Sequence, residues 1–388
     1  MARVTMESTS RQDLRRDDSL IFVVNSGSSS LKFGVYREGL ADEEALVTGS
    51  ADGIGHRDGT LRMRSASGET VAERAGALES QEHALALVAD VVRGSLRAEP
   101  VAIGHRIVHG GPDIVEHQWI TPLLFEKLQA ATHFAPLHIP QSLSLIKSAQ
   151  SHFPSARQVA CFDDVFHRNM PEVAAHLPIP DRFYASGIRR YGFHGLSYES
   201  LIHRLGEQLP ERAIFAHLGN GASLCAIRNR TSIDTTMGLT PTGGIPMGSR
   251  SGDIDPGVFI HLLRTERPDA DALEKLFNNQ SGILALSGGE MDFKALELAA
   301  RAGDQRATLA LDAFITAVRK MIGAYAALLG GVDLVIFTGG IGEHSGYVRD
   351  SATRGLEFMG ITEDKIQTMP TEEERQIARH CRKLFRVS

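Results

Sequence analysis

Aromatic residues make up only 6% of this 388-residue chain, with one tryptophan, and cysteine occurs three times. Cys161, Cys225 and Cys381 are odd in number and widely separated, so no disulfide framework is expected. They read as reduced packing thiols of a cytoplasmic protein. Continuous apolar runs fall well short of the roughly 18 residues that a membrane span requires, so no membrane partner is expected. Lys and Arg form no basic run, and the formal net charge is −6. That balance offers no footprint for nucleic acid, and any polyanion has to be held locally. Two familiar phosphate cradles are missing as well: neither a Gly-x4-Gly-Lys-Ser/Thr loop nor a Gly-x-Gly-x-x-Gly dinucleotide fingerprint occurs in the required context. The first 19 residues are polar and charged without an apolar h-region, and are expected to form a mobile tail, not a signal peptide or anchor.

Glycines, hydroxyls and charges concentrate instead in the stretch 217–257. It runs His217-Leu-Gly-Asn-Gly-Ala-Ser223, then Asp234-Thr-Thr-Met-Gly-Leu-Thr-Pro241, then Gly248-Ser-Arg250-Ser-Gly-Asp253-Ile-Asp255-Pro-Gly257. This inventory suits phosphate and metal. Ala213–Ala216 reads as a short buried strand that turns back at Gly219-Asn-Gly221 and resumes at Leu224–Ile227. The same grammar stands near the start of the chain, where the apolar run Leu20–Val24 meets Asn25-Ser-Gly-Ser-Ser-Ser30 and resumes as Leu31–Val35. One Ser/Gly turn is ordinarily only a hairpin connection. A pair, set about two hundred residues apart, suggests an internal duplication in which each half lends a phosphate-binding turn to one cleft. The length accommodates two domains.

Between and after these hairpins, periodicity predicts a helix over Glu82–Val92 closed by Gly94, and a strand Pro100–Ile103 leading to Gly104–Gly111. Arg106, His105 and His109 then fall at a strand's C-terminal end, where open α/β sheets bind ligands. His138 sits in a proline-framed loop, Ala135–Pro140. Gln158–Phe162 reads as a strand ending in Asp163-Asp164; either carboxylate suits Mg²⁺, a base or a helix N-cap. Arg189–Ser197, carrying His194, reads as a loop. Leu311–Leu329 carries apolar positions at the 3.6 period and is expected to be a core helix ended by Gly330-Gly331. After a strand at Val332–Phe337, the glycine-rich turn Thr338–Ser345 opens a helix at Ser345 and can cradle a nucleotide phosphate.

Taken in order, Asn25–Lys32, Gly104–Gly111, Arg189–Gly195, His217–Ser223, Ser251–Pro256 and Phe337–Glu343 resemble the motifs of the acetate kinase family. The resemblance implies an α/β fold of two duplicated ribonuclease-H-like (actin-like ATPase) domains around an interdomain cleft. Residues 20–164 with 372–388 would form one domain and 165–371 the other, in a homodimer. It implies acetate and ATP as substrates, acetyl phosphate and ADP as products, and Mg²⁺, with Mn²⁺ as the alternative. By motif position, Arg106 and Arg250 resemble the arginines that grip the carboxylate and the transferring phosphoryl group, His194 the transition-state histidine, and Asp163 the essential aspartate near the metal. Asn25 and Glu373 resemble magnesium-shell positions, with Glu372 and Glu374 as neighbouring alternatives. Ser28, Ser30, Lys32, His138, His217 and Asn220 match phosphate-binding positions, and Leu218, Gly219 and Gly221 share that second turn on the ATP side. Val108, Leu137, Phe193 and Pro241 match the pocket for the acetate methyl group. Asp292, Phe293 and Lys294, with Gly340, Ile341 and Gly342, match the adenosine side.

Acetate has a pKa of roughly 4 by the terminal-carboxyl reference, so at neutral pH it is already the nucleophilic anion and needs no general base. Asp163 is therefore better read as organising Mg²⁺ than as taking a proton. What the reaction needs is neutralisation of two approaching anions. The chain departs from the family pattern at Ile139, Asp164, Leu196, Tyr198, Gly243, Lys294 and His344, where Asn, Thr, Thr, His, Glu, Arg and Asn are common. Lys294 is expected to weaken or broaden nucleotide preference, because an ammonium stacks on adenine less well than a guanidinium. Two other readings are a propionate or short-chain acyl kinase, which needs a larger pocket, and a non-catalytic nucleotide-binding regulatory module on the same fold.

Overall fold

The computed structural model describes residues 19–27, 29–39, 42–95 and 98–387. Residues 1–18 of the expected tail and the candidate Ser28 lie outside the described residues. The apolar run after Leu20 becomes β1 (Ile21–Ser26), which turns back into β2 (Ser30–Glu38). β3 (Glu43–Asp52), β4 (Thr60–Ser65) and β5 (Thr70–Ala75) continue the antiparallel side of the sheet. On the other side of β1 lie β6 (Ala102–Ile107) and β8 (Arg157–Phe162), both parallel, with the short β7 (Gln118–Trp119) at the edge. A second sheet is built from the antiparallel β9 (Arg212–Leu218), β10 (Ala222–Arg228) and β11 (Thr231–Thr235), and from the parallel β12 (Leu334–Thr338) and β13 (Ile366–Thr368).

Strand order in the two sheets corresponds position for position. The run β3-β2-β1-β6-β8 matches β11-β10-β9-β12-β13, and the parallel and antiparallel senses agree at every step. The duplication suggested by the two hairpins is thus written in topology. It places the β1–β2 and β9–β10 turns at equivalent corners.

Both central strands are buried on two faces, and their alternation sorts side chains between them. Phe22 and Val24 face a core with Leu85, Val88 and Leu145 of the helices Gln81–Ser95 and Ile139–His152; Ile21 and Val23 face Ile377, Ala378 and Cys381 of the helix Glu373–Val387. In the second sheet Ile214, Ala216 and Leu218 face the long helix Gln305–Leu329, and Ala213 and Phe215 face Tyr198, Leu201 and Leu205 of the helix Gly195–Leu205. The helices Gly195–Leu205 and Glu373–Val387 contact each other between the sheets. Glu199 ties this layer together: its Oε2 lies 2.6 Å from His380 Nε2 and its Oε1 3.4 Å from His117 Nε2. Burial alone would raise this carboxyl, but the two imidazoles outweigh it and hold it well below the usual carboxylate range.

Several local expectations change. The first helix runs Gln81–Ser95 with Gly94 inside its last turn; Gly94 is not in the left-handed region that would stop it. β6 extends through Arg106, because Gly104 lets the strand pass directly beneath the C-terminal helix. The loop expected over 189–197 is helical from Gly195, whose N–H donates to the carbonyl of Asp163 at 2.9 Å. Pro140 stands in the first turn of the helix Ile139–His152, where its missing N–H costs nothing. The glycine-rich turn is itself a short helix, Gly339–His344, followed as expected by one beginning after Ser345. Leu328, counted on the core stripe of the long helix, is 48% exposed.

A Cβ on Gly104 would collide with Ile377 Cγ2 and stand 2.7 Å from Cys381 Sγ. Gly104→Ala therefore forces the C-terminal helix off the sheet and should lower stability by about 1–3 kcal/mol, read as a drop in Tm by calorimetry. An unchanged Tm would mean that this helix does not dock as described.

Candidate active site

The two equivalent turns face one cavity of about 200 Å³. Ser26, Gly27, Ser29 and Ser30 line it from the first sheet, with Arg106, Val108, His138 and Asp163. Phe193, His194, Asn220, Gly221, Pro241 and Arg250 line it from the second half. The first turn is fixed from behind by buried Gln81, whose Nε2 donates to the carbonyls of Gly27 (3.1 Å) and Ser30 (3.3 Å). The second is pinned by Gly219 N–H donating to Gly221 O at 3.0 Å.

Arg106 leaves β6 into this cavity. Its Nε and Nη2 reach Asp163 Oδ2 at 2.8 and 2.6 Å, and its Nη1 donates to Ser26 O at 3.0 Å. The second oxygen of Asp163, Oδ1, is buried without a hydrogen-bond partner. Burial raises the Asp163 carboxyl, and Glu373 and Asp164 add to that, while Arg106 opposes them. Asn25 Nδ2 donates to Glu373 Oε2 (2.9 Å) and Glu374 Oε1 (2.7 Å), and Lys32 lies near enough that Glu374 raises its pKa. Glu372 pairs instead with Arg375 and Arg379. Asp164, left open beside Asp163, is separated from it: its Oδ2 takes the N–H of Gly110 and lies 2.8 Å from His109 Nδ1. It shapes the loop behind the cavity.

His194 enters from the other side in a left-handed conformation, φ 61°, at the start of the helix Gly195–Leu205. A Cβ on Gly195 would strike the Asp163 carbonyl, so glycine is required for His194 to reach this place. Its ring stacks on His217 at 4.1 Å, its Nδ1 lies 2.9 Å from Ser223 Oγ, and His217 Nδ1 lies 2.9 Å from Ser197 Oγ. Burial, then His217, Arg106 and Arg250, hold the His194 pKa well below the ordinary imidazole value. Burial likewise brings His138 and His217 down to about 4. Arg250 donates from Nη1 to Pro241 O at 3.3 Å and forms no ion pair among the described residues; burial and Arg106 lower its pKa.

Not every candidate converges. Leu137 is 50% exposed, in the turn closed by His138 N–H donating to the Ala135 carbonyl, and does not line the cavity. Gly340 adjoins the second turn through Gly219. Asp292 caps the helix Phe293–Arg301 by accepting from Ala295 N–H, Phe293 packs on Phe314 in the core, and Lys294 is exposed. That helix reaches the glycine-rich segment through Ser345 Oγ and Glu297 Oε1. The sequence reading gave no role to Ser223, although it ends the motif His217–Ser223, nor to Gln81 and Ser197. Only the contacts of these three reveal them.

The assembly can bring two small anions together between unpaired guanidinium and imidazole donors, against an apolar wall of Val108, Phe193 and Pro241. The family model described as "Acetokinase family" matches residues 20–385. An acetate kinase of Nitrobacter hamburgensis is 40% identical over 94% of this chain and 96% of its own length. An acetate kinase of Geobacillus sp. is 37% identical over 95% of this chain and 100% of its own length. Among crystal structures, an acetate kinase of Porphyromonas gingivalis superposes with a TM-score of 0.83 at 34% identity, covering 95% of this chain and 100% of that one. A propionate kinase of Francisella tularensis gives 0.84 at 32% identity, covering 93% and 98%.

Because His194 is buried among cationic groups, its ring should stay neutral through the range near pH 6.5 in which an exposed histidine titrates. Histidine chemical shifts followed from pH 8 to 5.5 should show no protonation of His194; a transition at the ordinary value would refute the burial assigned to it.

Proposed function

The chain belongs to the acetokinase family, and from that premise we propose that this enzyme transfers the γ-phosphoryl group of ATP directly and in line to acetate, reversibly, giving acetyl phosphate and ADP. The carrying observation is that Arg106 and Arg250 share one cavity with His194 and a small apolar wall. Acetate arrives ionised, so no base is required. Its carboxylate is oriented by Arg106, which Asp163 and the Ser26 carbonyl hold in place. Arg250, unpaired, meets the charge that spreads over the equatorial oxygens of the transferring group, and His194 donates beside it. The turns at Ser30 and at Asn220 cradle the remaining phosphates with backbone N–H groups.

Mg²⁺ fits the acidic corner on chemical grounds: Asp163 Oδ1 is a buried acceptor without a partner, beside Glu373 and Glu374. Asn25 and Glu373, with Asp163, would hold it. When bound, the ion neutralises phosphate charge and orients the chain of phosphates. The acetate and propionate kinase structures match this fold equally well, so fold does not divide the two acids. The shorter acid is supported by Val108, which leaves less room in the wall with Phe193 and Pro241 than Ala or Gly would.

The two-domain division, residues 20–164 with 372–388 against 165–371, is proposed on the matching sheets and on the docking of the last helix against β1 and β6. A homodimer is supported by the helix Pro256–Thr265, which has no buried residue although it carries Val258, Phe259, Ile260, Leu262 and Leu263. A cytoplasmic setting suits three buried, unpaired thiols.

A hydroxylamine trap for acyl phosphate, run with ATP-Mg²⁺ and acetate, propionate or butyrate, should give its largest signal with acetate, and Arg250→Ala should lower turnover on the order of 10³-fold. A maximum at a longer acid would transfer the assignment to that acid; no product with any acid would replace the reading by a nucleotide-binding module. Light scattering should find a dimer that Ile260→Asp dissociates, and a wild-type monomer would remove the interface.

A further inference from the structure

Behind His194, on the side away from the cavity, stand two hydroxyls that the proposed chemistry does not use. Tyr198 is fully buried, one helical turn beyond His194, and its N–H donates to the His194 carbonyl at 3.1 Å. Its O–H has two acceptors on Ser223, the hydroxyl Oγ at 2.5 Å and the carbonyl oxygen at 3.0 Å, and the hydroxyl is the nearer. Ser223 Oγ in turn lies 2.9 Å from His194 Nδ1. Phenol, serine and imidazole therefore form one chain of hydrogen bonds leading from the core to the cavity.

Such a chain has two polarities, and they differ in what the imidazole offers. In one, Tyr198 donates to Ser223 Oγ, the serine hydroxyl donates to His194 Nδ1, and the ring proton resides on Nε2. In the other, Nδ1 carries the proton and donates to Ser223 Oγ, the serine donates to Tyr198 Oη, the phenol turns its own proton to the Ser223 carbonyl, and Nε2 presents a lone pair. Nε2 is the atom that faces the cavity: a Cβ built on Gly221 would stand 3.3 Å from it and 3.5 Å from Arg250 Nη1. A bare Nε2 would repel an anion there, whereas Nε2–H would bind it. A phenol is a stronger acid than an aliphatic alcohol, and its oxygen is the poorer acceptor because the ring withdraws its lone pair, so the short Tyr198–Ser223 contact favours donation by Tyr198. The hydrogen bond at one imidazole nitrogen fixes the state of the other.

We propose that Tyr198 is a positioning residue which, through Ser223, locks His194 in the Nε2–H tautomer so that a neutral imidazole donates to the transferring phosphoryl group. The proposal rests on the reading of His194 given above. Tyr198→Phe keeps the ring and removes the donor. In ¹⁵N-histidine-labelled protein, wild-type His194 should carry its proton on Nε2, and Tyr198→Phe should show a mixture of tautomers. Turnover should fall about 3–10-fold, the value of one hydrogen bond, with KM for acetate and ATP within twofold. Ser223→Ala should give a loss of similar size, and the double variant no further loss, since both act through one chain. Three results would overturn the relay: a wild-type proton on Nδ1, an unchanged tautomer and turnover in Tyr198→Phe, or additive losses in the double variant. A packing role alone would lower Tm while leaving the tautomer in place. Should His194→Ala keep full turnover, the catalytic reading of His194 fails, and the labelled spectra still decide the relay.

Discussion

A guanidinium can sit in the floor of a narrow cleft only if something buried answers its charge. Asp163 does so for Arg106, through two contacts to a single carboxylate oxygen. The rest of the site hangs from that pair. The other oxygen of Asp163 is buried without a hydrogen-bond partner, and its backbone carbonyl receives Gly195 N–H, which sets the start of the helix that carries His194. One residue thereby fixes an arginine, the corner proposed for metal and the entry point of a histidine. Breaking a buried pair of this kind by removing one partner costs several kcal/mol, so function and local folding cannot be separated at this position.

Duplication supplies the geometry that this pair exploits. Each sheet ends its central hairpin in a glycine-bearing turn, and equivalence of the strand orders brings both turns to the same cleft. The halves are not equivalent in charge. The first contributes Arg106, Asp163 and, from the last helix, Glu373 and Glu374; the second contributes Arg250 and the stacked His194 and His217. Each wall therefore offers a negative ligand one guanidinium, and the acidic corner stands on the first.

Much of this was legible in order along the chain. The two hairpins, the strand leading to Asp163 and the long helix are dictated by local patterns, namely apolar runs, period 3.6 and turn residues. Where reading failed, the cause was a contact between distant segments. Nothing near Gly104 says that β6 continues beneath residues 377–381, and nothing near Gly195 says that its N–H has a partner at Asp163. Leu137 was carried over by motif position, yet it stands half exposed. Ser223 ends one motif and Tyr198 departs from another, but neither letter says that the two meet; that comes from the helix Gly195–Leu205, which presses one against the other.

The face of the first sheet formed by Ile21, Val23 and Val159 is covered by Ile377, Ala378 and Cys381, which are encoded after the whole of the second sheet. A ribosome adding about 5–20 residues per second needs roughly 10–40 s to travel from Phe162 to Ile377. Throughout that interval the nascent chain holds a nearly complete sheet with one greasy side open. The half that is made first is thus the half that is finished last, and its burden on chaperones is fixed by gene order and not by any weakness in its finished core.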